Sequence, residues 1–300
     1  DMNGKINCNN HIQTIDSSRI TLFLERLVAE RFEEKAAHIS ELYKSSNNDW
    51  EETFYQLLAR NFGVKQNQEG FELLAKSLPQ RIIAKHKGNL LQVEALFFGQ
   101  ANLWTNNADE YEQSLKKEYQ FLQKKYGLSP ISPTWWKFAR MRPSSFPTIR
   151  IAQFAKLVNS SQSLTSKILN CANYEDLKSL LYCSTSVYWE HHYTFGTIST
   201  KHSAQIGESM LEILVINAII PFLFAYGKAH HNDELCQRAY EILLSLPPEK
   251  NRIVNQWNAC GIPTKSALET QGLLQLFNSY CTQGNCVHCS IGHIVLNKKI

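Results

Sequence analysis

The sequence predicts an all-α protein, an irregular multi-helix bundle of roughly a dozen helices with little or no sheet. Helix-capping residues recur along the chain, and apolar residues repeat at helical spacing over long segments. No Asn-Gly or Asp-Gly hairpin signal separates alternating runs, and the strand candidates at 187–194 and 294–296 are too weak to predict a sheet. With 43% hydrophobic and 19% charged residues, the chain has the composition of a globular protein that buries a core.

The helix boundaries follow from capping and breaking residues taken in chain order. Asp16 or Ser17 begins a long first helix, in which apolar residues recur every third or fourth position. Asp49 and Glu52 have the spacing of a capping box for the second helix. Gly127 ends a helix with lysines in its last turns, as the helix dipole favours. Further helices are predicted to start at Pro79, Asn89, Pro147, Asn173, Ser203, Asp233, Pro248 and Thr264.

The chain is expected to form one compact unit made of three segments. Residues 1–127 form an N-terminal helical region, residues 128–147 an ordered aromatic and proline-rich strap, and residues 148–300 a C-terminal helical region with a cysteine-rich end. Prolines break any long helix in the strap, and its tryptophans favour packing on the core over a free linker.

Cysteine usage and hydropathy indicate a reduced protein of the cytoplasm. Eight cysteines in a long chain, whose first residues show no basic and apolar leader, favour free thiols over disulfides. The apolar run 210–227 contains Glu212, Asn217 and a central Pro221. This pattern favours a core helix interrupted at the proline over a membrane span, so no membrane partner is expected. The net charge of +4 permits contact with phosphate without requiring it.

A cysteine-rich segment near the C-terminal end is the candidate metal site. Cys281, Cys286 and Cys289 form C-x4-C-x2-C, in which a short turn lets two thiolates face one zinc ion or an iron–sulfur cluster. Cys260 is the predicted fourth ligand. No second C-x2-C pair is present, so the alternative is that reduced thiols pack in a helical end as small apolar groups.

A cluster of basic residues is the candidate anion-binding site. Arg140, Arg142 and Arg150 lie in or beside the strap, and Lys85 with His86 forms a second basic group. If the strap packs over the preceding helices, the guanidinium groups line an anionic groove and a tryptophan offers a stacking surface for nucleic acid. The alternative is that these arginines bind backbone carbonyls and carboxylates of an irregular segment.

No catalytic motif is recognisable, so the sequence leaves open whether the chain is an enzyme. The patterns GxSxG, GxxxxGK[ST], GxGxxG and HExxH are all absent. Glu94 is the acid that we expect to be buried, because it sits in an otherwise apolar helix. Arg140 or Arg150 is its expected partner, since a buried charge requires one.

Several segments together resemble a bacterial family known as domain of unknown function 2851. The run WWKFARMRPSSFPTIRIAQFAKLV at 135–158 resembles the central signature of that family. The resemblance covers most of the chain and implies no activity. It does imply a longer protein, with a β-rich part ahead of the helical region. Other segments that fit the family pattern are 54–67, 82–103, 217–227 and 280–292.

Three functions remain open at the level of sequence. The first is a helical binding module that contacts an anionic partner, with nucleic acid as the favoured class, through the arginines and lysines of the strap. The second is the accessory helical part of an enzyme, such as a nuclease, whose active site lies in a missing N-terminal portion. The third is a structural scaffold that binds another protein.

Overall fold

The computed structural model describes residues 6–297, and it is an all-α fold. Within these residues the sheet is limited to a small antiparallel hairpin of β1 (His192–Thr194) and β2 (Thr197–Ile198). The prediction of a multi-helix fold with little sheet is confirmed. Strand β1 falls inside the first weak strand candidate, whereas the second candidate lies in a helix.

The helices follow one another with short connections through most of the described chain. The α-helices are α1 (Ser17–Ser45), α2 (Trp50–Phe62), α3 (Val64–Ser77), α4 (Gln80–Ile83), α5 (Leu90–Ala101), α6 (Glu110–Tyr126), α7 (Pro147–Ser160), α8 (Leu164–Asn170), α9 (Tyr174–Leu181), α10 (Glu208–Leu214), α11 (Ile220–Ala229), α12 (Asp233–Ser245), α13 (Arg252–Ala259), α14 (Ala267–Gln275) and α15 (Ser290–Asn297). Two π-helical turns are Val215–Ile219 and Leu276–Cys281. Single 3-10 turns are Asn9–Thr14, Ala84–His86, Pro133–Trp135, Pro143–Ser145, Val187–Glu190 and Cys286–His288.

Polar caps fix many helix starts where the sequence predicts them. The Asp49 carboxylate accepts from the N–H groups of the second and third residues of α2, at 2.8 and 3.2 Å. Asn89 and Asn173 cap α5 and α9 in the same way. Gly127 ends α6 with φ +63°, a left-handed conformation that glycine adopts without strain.

Three predicted starts lie several residues too early. The helix expected from Ser203 begins at Glu208, and the helices expected from Pro248 and Thr264 begin at Arg252 and Ala267. In the last two cases a polar residue directly before the helix, Asn251 or Ser266, accepts from a free N–H of the first turn. The side-chain cap therefore sets the boundary, and the upstream residues belong to the connecting loop.

The chain divides into two compact units. Unit 1 combines residues 1–40 with residues 220–300, and unit 2 is the continuous stretch 41–219. The strap therefore lies inside unit 2, together with helices that precede and follow it. Unit 1 joins segments from the two ends of the chain.

The core of unit 2 is built around α5, which is buried on every side from Val93 to Ala101. A helix that is apolar all round belongs in the centre of a bundle, because no face of it is suited to water. Aromatic rings pack against it, with Phe97 and Phe154 at a centroid distance of 5.3 Å. A Cβ at Gly99 would lie 2.1 Å from the Tyr119 ring, so this glycine lets α6 pack close.

Trp136 anchors the strap to the core of unit 2. Its ring meets Phe71 edge-on at 5.4 Å, and its Nε1 donates to the Ala101 carbonyl at 2.8 Å. The indole therefore buries its apolar surface and satisfies its single donor at the same time. The neighbouring Trp135 is 41% exposed, whereas Trp136 is 7% exposed.

Side-chain amides hold the backbone of the strap on either side of Trp136. Asn67 donates to the Lys137 carbonyl at 3.0 Å and accepts from the Lys137 N–H at 2.8 Å. The Gln100 side-chain amide donates to the Ser129 carbonyl at 2.6 Å, and the Gln100 backbone carbonyl accepts from the Ile131 N–H at 2.9 Å. These bonds satisfy backbone groups that have no helix or sheet partner, and they hold the strap against the helices of unit 2.

The core of unit 1 depends on a close crossing of α1 and α14. The buried face of α1 includes Phe23, Leu24 and Leu27. At Gly272 of α14 a Cβ would lie 2.9 Å from the Leu24 carbonyl oxygen, so a side chain there would push the helices apart. Arg31 of α1 donates to Gln271 at 2.5 Å beside this crossing.

The most apolar helical stretch runs from Glu208 to Ala229 and includes the π-helical turn before Pro221. Its length and composition would allow it to cross a membrane, and 72% of its most apolar 18 residues are buried within the fold. A core helix passes the same test of length and composition. The π turn widens the backbone where the proline ring would otherwise meet the carbonyl of Asn217.

Replacing Trp136 with alanine should destabilise the protein by about 3–5 kcal/mol, because it removes a buried aromatic ring and its hydrogen bond. Trp135→Ala is the matched control and should change the free energy of unfolding by less than about 1 kcal/mol. Guanidinium denaturation of both variants measures the difference. An equal decrease in the free energy of unfolding of the two variants would show that the strap is not anchored through Trp136.

Candidate functional site

A cavity of about 190 Å³ in unit 1 is lined by four cysteines, Cys8, Cys281, Cys286 and Cys289. His11 also lines it, while no aspartate or glutamate does. The rest of the wall is largely apolar. It includes Trp257, Leu276, Tyr280, Ile291, Val295 and Leu296.

Short irregular segments bring the four thiols together. Cys8 directly precedes the 3-10 turn Asn9–Thr14, and Cys281 is the last residue of the π turn that follows α14. Cys286 begins the next 3-10 turn, and Cys289 directly follows that turn, which leads into α15. The loop between Cys281 and Cys286 turns at Gly284, where φ is +64°.

Two backbone contacts fix the Cys286–Cys289 loop on α15. A Cβ at Gly292 would lie 2.2 Å from the Cys286 carbonyl oxygen, so only glycine allows this approach. The N–H of Gly292 points at the Cys289 sulfur at 3.5 Å. Backbone N–H groups directed at a cysteine sulfur stabilise its thiolate form, which is the form that binds metals.

Burial raises the pKa of Cys8, Cys281 and Cys289, which favours the protonated form of these three thiols. Burial raises the pKa of Cys8 to about 11, and repulsion from Cys289 and Cys286 adds to the shift. Burial likewise raises the pKa of Cys281 to about 12, with further contributions from Cys8, Cys289 and Cys286. All four sulfurs are therefore within electrostatic reach of one another. A cation placed among them would favour the thiolate form.

Cys8 takes the place in this cluster that the sequence predicts for Cys260. Cys260 follows α13 and is half-buried, but it does not line the cavity. Its pKa is raised by burial alone. Sequence reasoning missed Cys8, because nothing in the local pattern around it links it to a motif near the other end of the chain.

The four cysteines do not have the spacing of a site for a single metal ion. In the part of the chain that the structure describes, no three His, Cys, Asp or Glu side chains are placed to hold one ion. The eight cysteines, all within residues 6–297, form no disulfide, and Cys171, Cys183, Cys236 and Cys260 do not line the cavity. The cluster is therefore a set of four convergent thiols around a space larger than one ion.

The strap presents exposed cations on a clamped backbone. Arg140 and Arg142 are exposed, and Lys137 between Trp136 and Phe138 is exposed as well. No ion pair joins any of the three to an acid among residues 6–297. Arg140 has φ +60°, a left-handed conformation that a non-glycine residue rarely adopts.

Arg150 is a partly buried cation that has no carboxylate partner among the described residues 6–297. It lies in the first turn of α7, which has no side-chain cap. Its Nη1 donates to Gln153 at 2.9 Å, whereas its Nε is buried with no hydrogen-bond partner. Burial lowers the pKa of Arg150 to about 10, so the guanidinium is still charged at neutral pH.

Lys85 and His86 lie away from the strap arginines. The N–H of Gly88, just after them, donates to Asn159 near the C-terminal end of α7, whereas Arg150 is near its beginning. Nine residues of α-helix separate the two positions by roughly 14 Å. His86 is buried, and both ring nitrogens are hydrogen-bonded, to Gln92 at 2.7 Å and to the Tyr126 hydroxyl at 2.8 Å. Lys85 and His86 thus lie near the opposite end of α7 from Arg150.

Glu94 is buried as expected, at 1% exposure, but its partners are hydroxyls and not arginines. The Tyr111 hydroxyl donates to one carboxyl oxygen, and the Ser186 hydroxyl donates to the other at 3.2 Å. Burial raises the pKa of Glu94 to about 7, because these hydrogen bonds only partly replace the lost solvation. Expecting Arg140 or Arg150 as its partner was wrong, since both arginines have other surroundings.

Residues 1–252 match a family described as Protein of unknown function (DUF2851). The chain belongs to the DUF2851 family. The resemblance seen in the sequence is thereby confirmed. The match to DUF2851 includes Cys8 and the strap, and it ends before Cys260, Cys281, Cys286 and Cys289. No curated protein and no solved structure matches the chain.

The raised pKa of Glu94 predicts a specific pH dependence for this DUF2851 chain. Because the folded-state pKa of about 7 lies above the ordinary value of 4.5, folding favours the protonated acid, and stability falls as pH rises between the two values. The full pKa shift corresponds to about 3 kcal/mol in the free energy of unfolding. As pH rises from 4.5 to 8, the free energy of unfolding of Glu94→Gln should therefore increase by about 2–3 kcal/mol relative to that of the wild type.

Urea denaturation across this pH range measures the difference. Glu110→Gln, which replaces an exposed acid in the first turn of α6, is the control and should follow the wild-type profile. Parallel profiles for Glu94→Gln and the wild type would show that Glu94 ionises as readily in the folded state as in the unfolded state.

Proposed function

We propose that this chain is a metal-stapled binding module, in which Cys8, Cys281, Cys286 and Cys289 hold a metal centre in unit 1. The observation that supports it is the convergence of four thiols, from opposite ends of the chain, on one cavity of about 190 Å³. An all-thiolate donor set suits soft metals such as zinc and iron. A centre that requires reduced thiols goes with a reducing compartment, so we propose the cytoplasm as the location.

Metal binding has a structural consequence in this arrangement. Three ligands come from the segment 281–289 and one comes from the N-terminal segment, so the metal links two parts of unit 1 that are distant in sequence. Because the site is assembled only in the folded chain, binding energy adds to the free energy of folding. The proposed role of the centre is therefore to hold the two ends of unit 1 together.

Elemental analysis of protein purified under reducing conditions tests this proposal. The wild type and Cys260→Ser should contain a bound transition metal, whereas Cys8→Ser and Cys286→Ser should lose most of it. Cys260→Ser is a matched control, because this thiol is near the cluster but does not line the cavity. A metal-free wild type, or an equal loss in Cys260→Ser, would contradict the assignment of the four ligands.

A second candidate function is the binding of an anionic partner, nucleic acid above all, by the strap of unit 2. Two observations favour it. Arg140 and Arg142 are exposed and pair with no acid among residues 6–297. The strap backbone that carries them is held by Asn67, Gln100 and Trp136. Cations without internal partners are available for phosphate, and arginine matches phosphate geometry well. The exposed Trp135 supplies a face on which a base of a single strand stacks.

Arg150 adds to the case for an anion at this place. Its guanidinium is partly buried and its Nε is unpartnered, which costs free energy unless a negative group completes the site. The uncapped N-terminus of α7 beside it adds a partial positive charge. The accessory-enzyme and scaffold hypotheses have no comparable observation in their favour.

Fluorescence anisotropy with labelled single-stranded and duplex oligonucleotides tests the strap. The wild type should bind, and its affinity should fall steeply as salt rises from 50 to 200 mM. Proteins with many phosphate contacts lose affinity by about 10³-fold over this range. The double variant Arg140→Ala/Arg142→Ala should bind at least about tenfold more weakly and with a salt slope smaller by about 1–2.

The matched control carries the same change in charge elsewhere in unit 2. Lys117→Ala/Lys124→Ala removes two exposed lysines from α6 and should bind like the wild type. If the two double variants lose affinity equally, the interaction reflects net charge and not the strap. If the wild type binds no oligonucleotide at low salt, nucleic acid is not its partner.

A further inference from the structure

The four-cysteine site of unit 1 has the dimensions and surroundings of a cluster site. We infer that Cys8, Cys281, Cys286 and Cys289 hold an iron–sulfur cluster, and not a single zinc ion. This inference rests on the metal centre proposed above and names the metal species and its fourth ligand. It follows from the size of the cavity, the identity of the donors and the surroundings of the sulfurs.

The size of the site is the first argument. Four Zn–S bonds of about 2.3 Å draw the sulfurs to within about 4 Å of one another and leave no space between them. Here the sulfurs surround a cavity of about 190 Å³, and none of the described residues form a group that holds one ion. At ~30 Å³ per water, this cavity has the volume of roughly six waters, which suits a core of several atoms.

The donor set and its spacing form the second argument. The thiols are the only ligand type in the wall apart from His11, and carboxylates are absent from it. Iron–sulfur clusters take cysteine thiolates from a compact segment and complete their shell with a distant cysteine, and C-x4-C-x2-C with one remote cysteine is a spacing that they use. Cys281, Cys286 and Cys289 supply the compact segment, and Cys8 is the remote ligand.

The surroundings of the sulfurs form the third argument. Trp257, Leu276 and Val295 shield the cavity with apolar surface. The Gly292 N–H, at 3.5 Å, is placed to stabilise negative charge on the Cys289 sulfur. Low solvent access and N–H groups directed at sulfur are the means by which proteins tune the stability and potential of such clusters.

Cluster binding at this site is a ligand exchange and involves no change in oxidation state. Each of the four thiols loses its proton as its sulfur forms a bond to iron, so four protons leave for the solvent. The iron and the inorganic sulfide come from outside the chain together, as a preassembled cluster whose previous ligands leave as the four cysteine sulfurs bind. Their ratio to the chain defines how many iron atoms the cluster contains.

The cluster would act as a staple for the N-terminal segment. Ile6, Ile12 and Ile15 pack into the same core as Trp257 and Leu276, and Cys8 is the ligand that this segment contributes. Loss of the cluster would remove the bond through Cys8 and leave the segment held by noncovalent contacts such as those of the isoleucines. Oxidative loss of the cluster would then loosen residues 6–15 selectively.

Anaerobic purification, followed by iron, zinc and acid-labile sulfide analysis and a visible absorption spectrum, tests the inference. We expect equal amounts of iron and sulfide and a broad visible absorption that dithionite bleaches. Zinc without sulfide at the four cysteines would overturn the cluster while leaving the metal centre of the previous section intact. Absence of both metals would overturn the two proposals together.

Cysteine variants, together with hydrogen exchange of the wild type, test the cluster even if a variant fails to fold. Cys8→Ala should lose the visible absorption, and Cys260→Ala should keep it. Because Cys8→Ala changes the core as well, wild-type protein is also compared by amide hydrogen exchange before and after removal of iron by a chelator. Faster exchange confined to residues 6–15 and 281–292 supports the staple, whereas unchanged exchange there contradicts it.

Discussion

The close approach of α1 and α14 is the constraint in unit 1 that admits no side chain between the two helices. The absence of a side chain at Gly272 lets the α14 backbone approach the Leu24 carbonyl, so the helices meet without a spacer. Polar contacts continue along the same pair, since Arg31 reaches Gln271 and Glu30 accepts from the Tyr280 hydroxyl at 2.9 Å. This crossing brings the chain before α1 next to the chain after α14. The two groups of cysteines meet only because the helices do.

Unit 2 handles polar groups in two contrasting ways. Glu94 is an acid buried among hydroxyls, and the fold accommodates it by favouring its protonated form near neutral pH. The cations of the strap are instead held at the surface, because amide side chains and a buried indole fix the backbone beneath them. The first arrangement makes stability depend on pH, and the second leaves exposed cations on a backbone that is already held in place by hydrogen bonds.

Sequence reasoning succeeded where the signal is local. Asp49, Asn89 and Gly127 set helix ends through contacts within a few residues, and the burial of Glu94 follows from its apolar neighbours. It named Cys260 and missed Cys8 as the fourth cysteine beside the cavity, because tertiary packing and not spacing decides which distant residue lies there. The separation of Lys85 and His86 from the strap has the same origin, since it depends on which end of α7 each segment meets.

The discontinuity of unit 1 has a consequence for biosynthesis. Residues 41–219 form a continuous unit that is complete while the later residues are still to be made, so unit 2 can fold during translation. The first forty residues have to wait for α11 to α15, with the apolar face of α1 uncovered in the meantime. A link between Cys8 and Cys281 closes a loop of roughly 270 residues, which is worth about 5–6 kcal/mol in chain entropy. If the proposed metal centre forms, metal acquisition would be the last step of maturation, and a chain truncated before Cys281 would lack the bond that closes this loop.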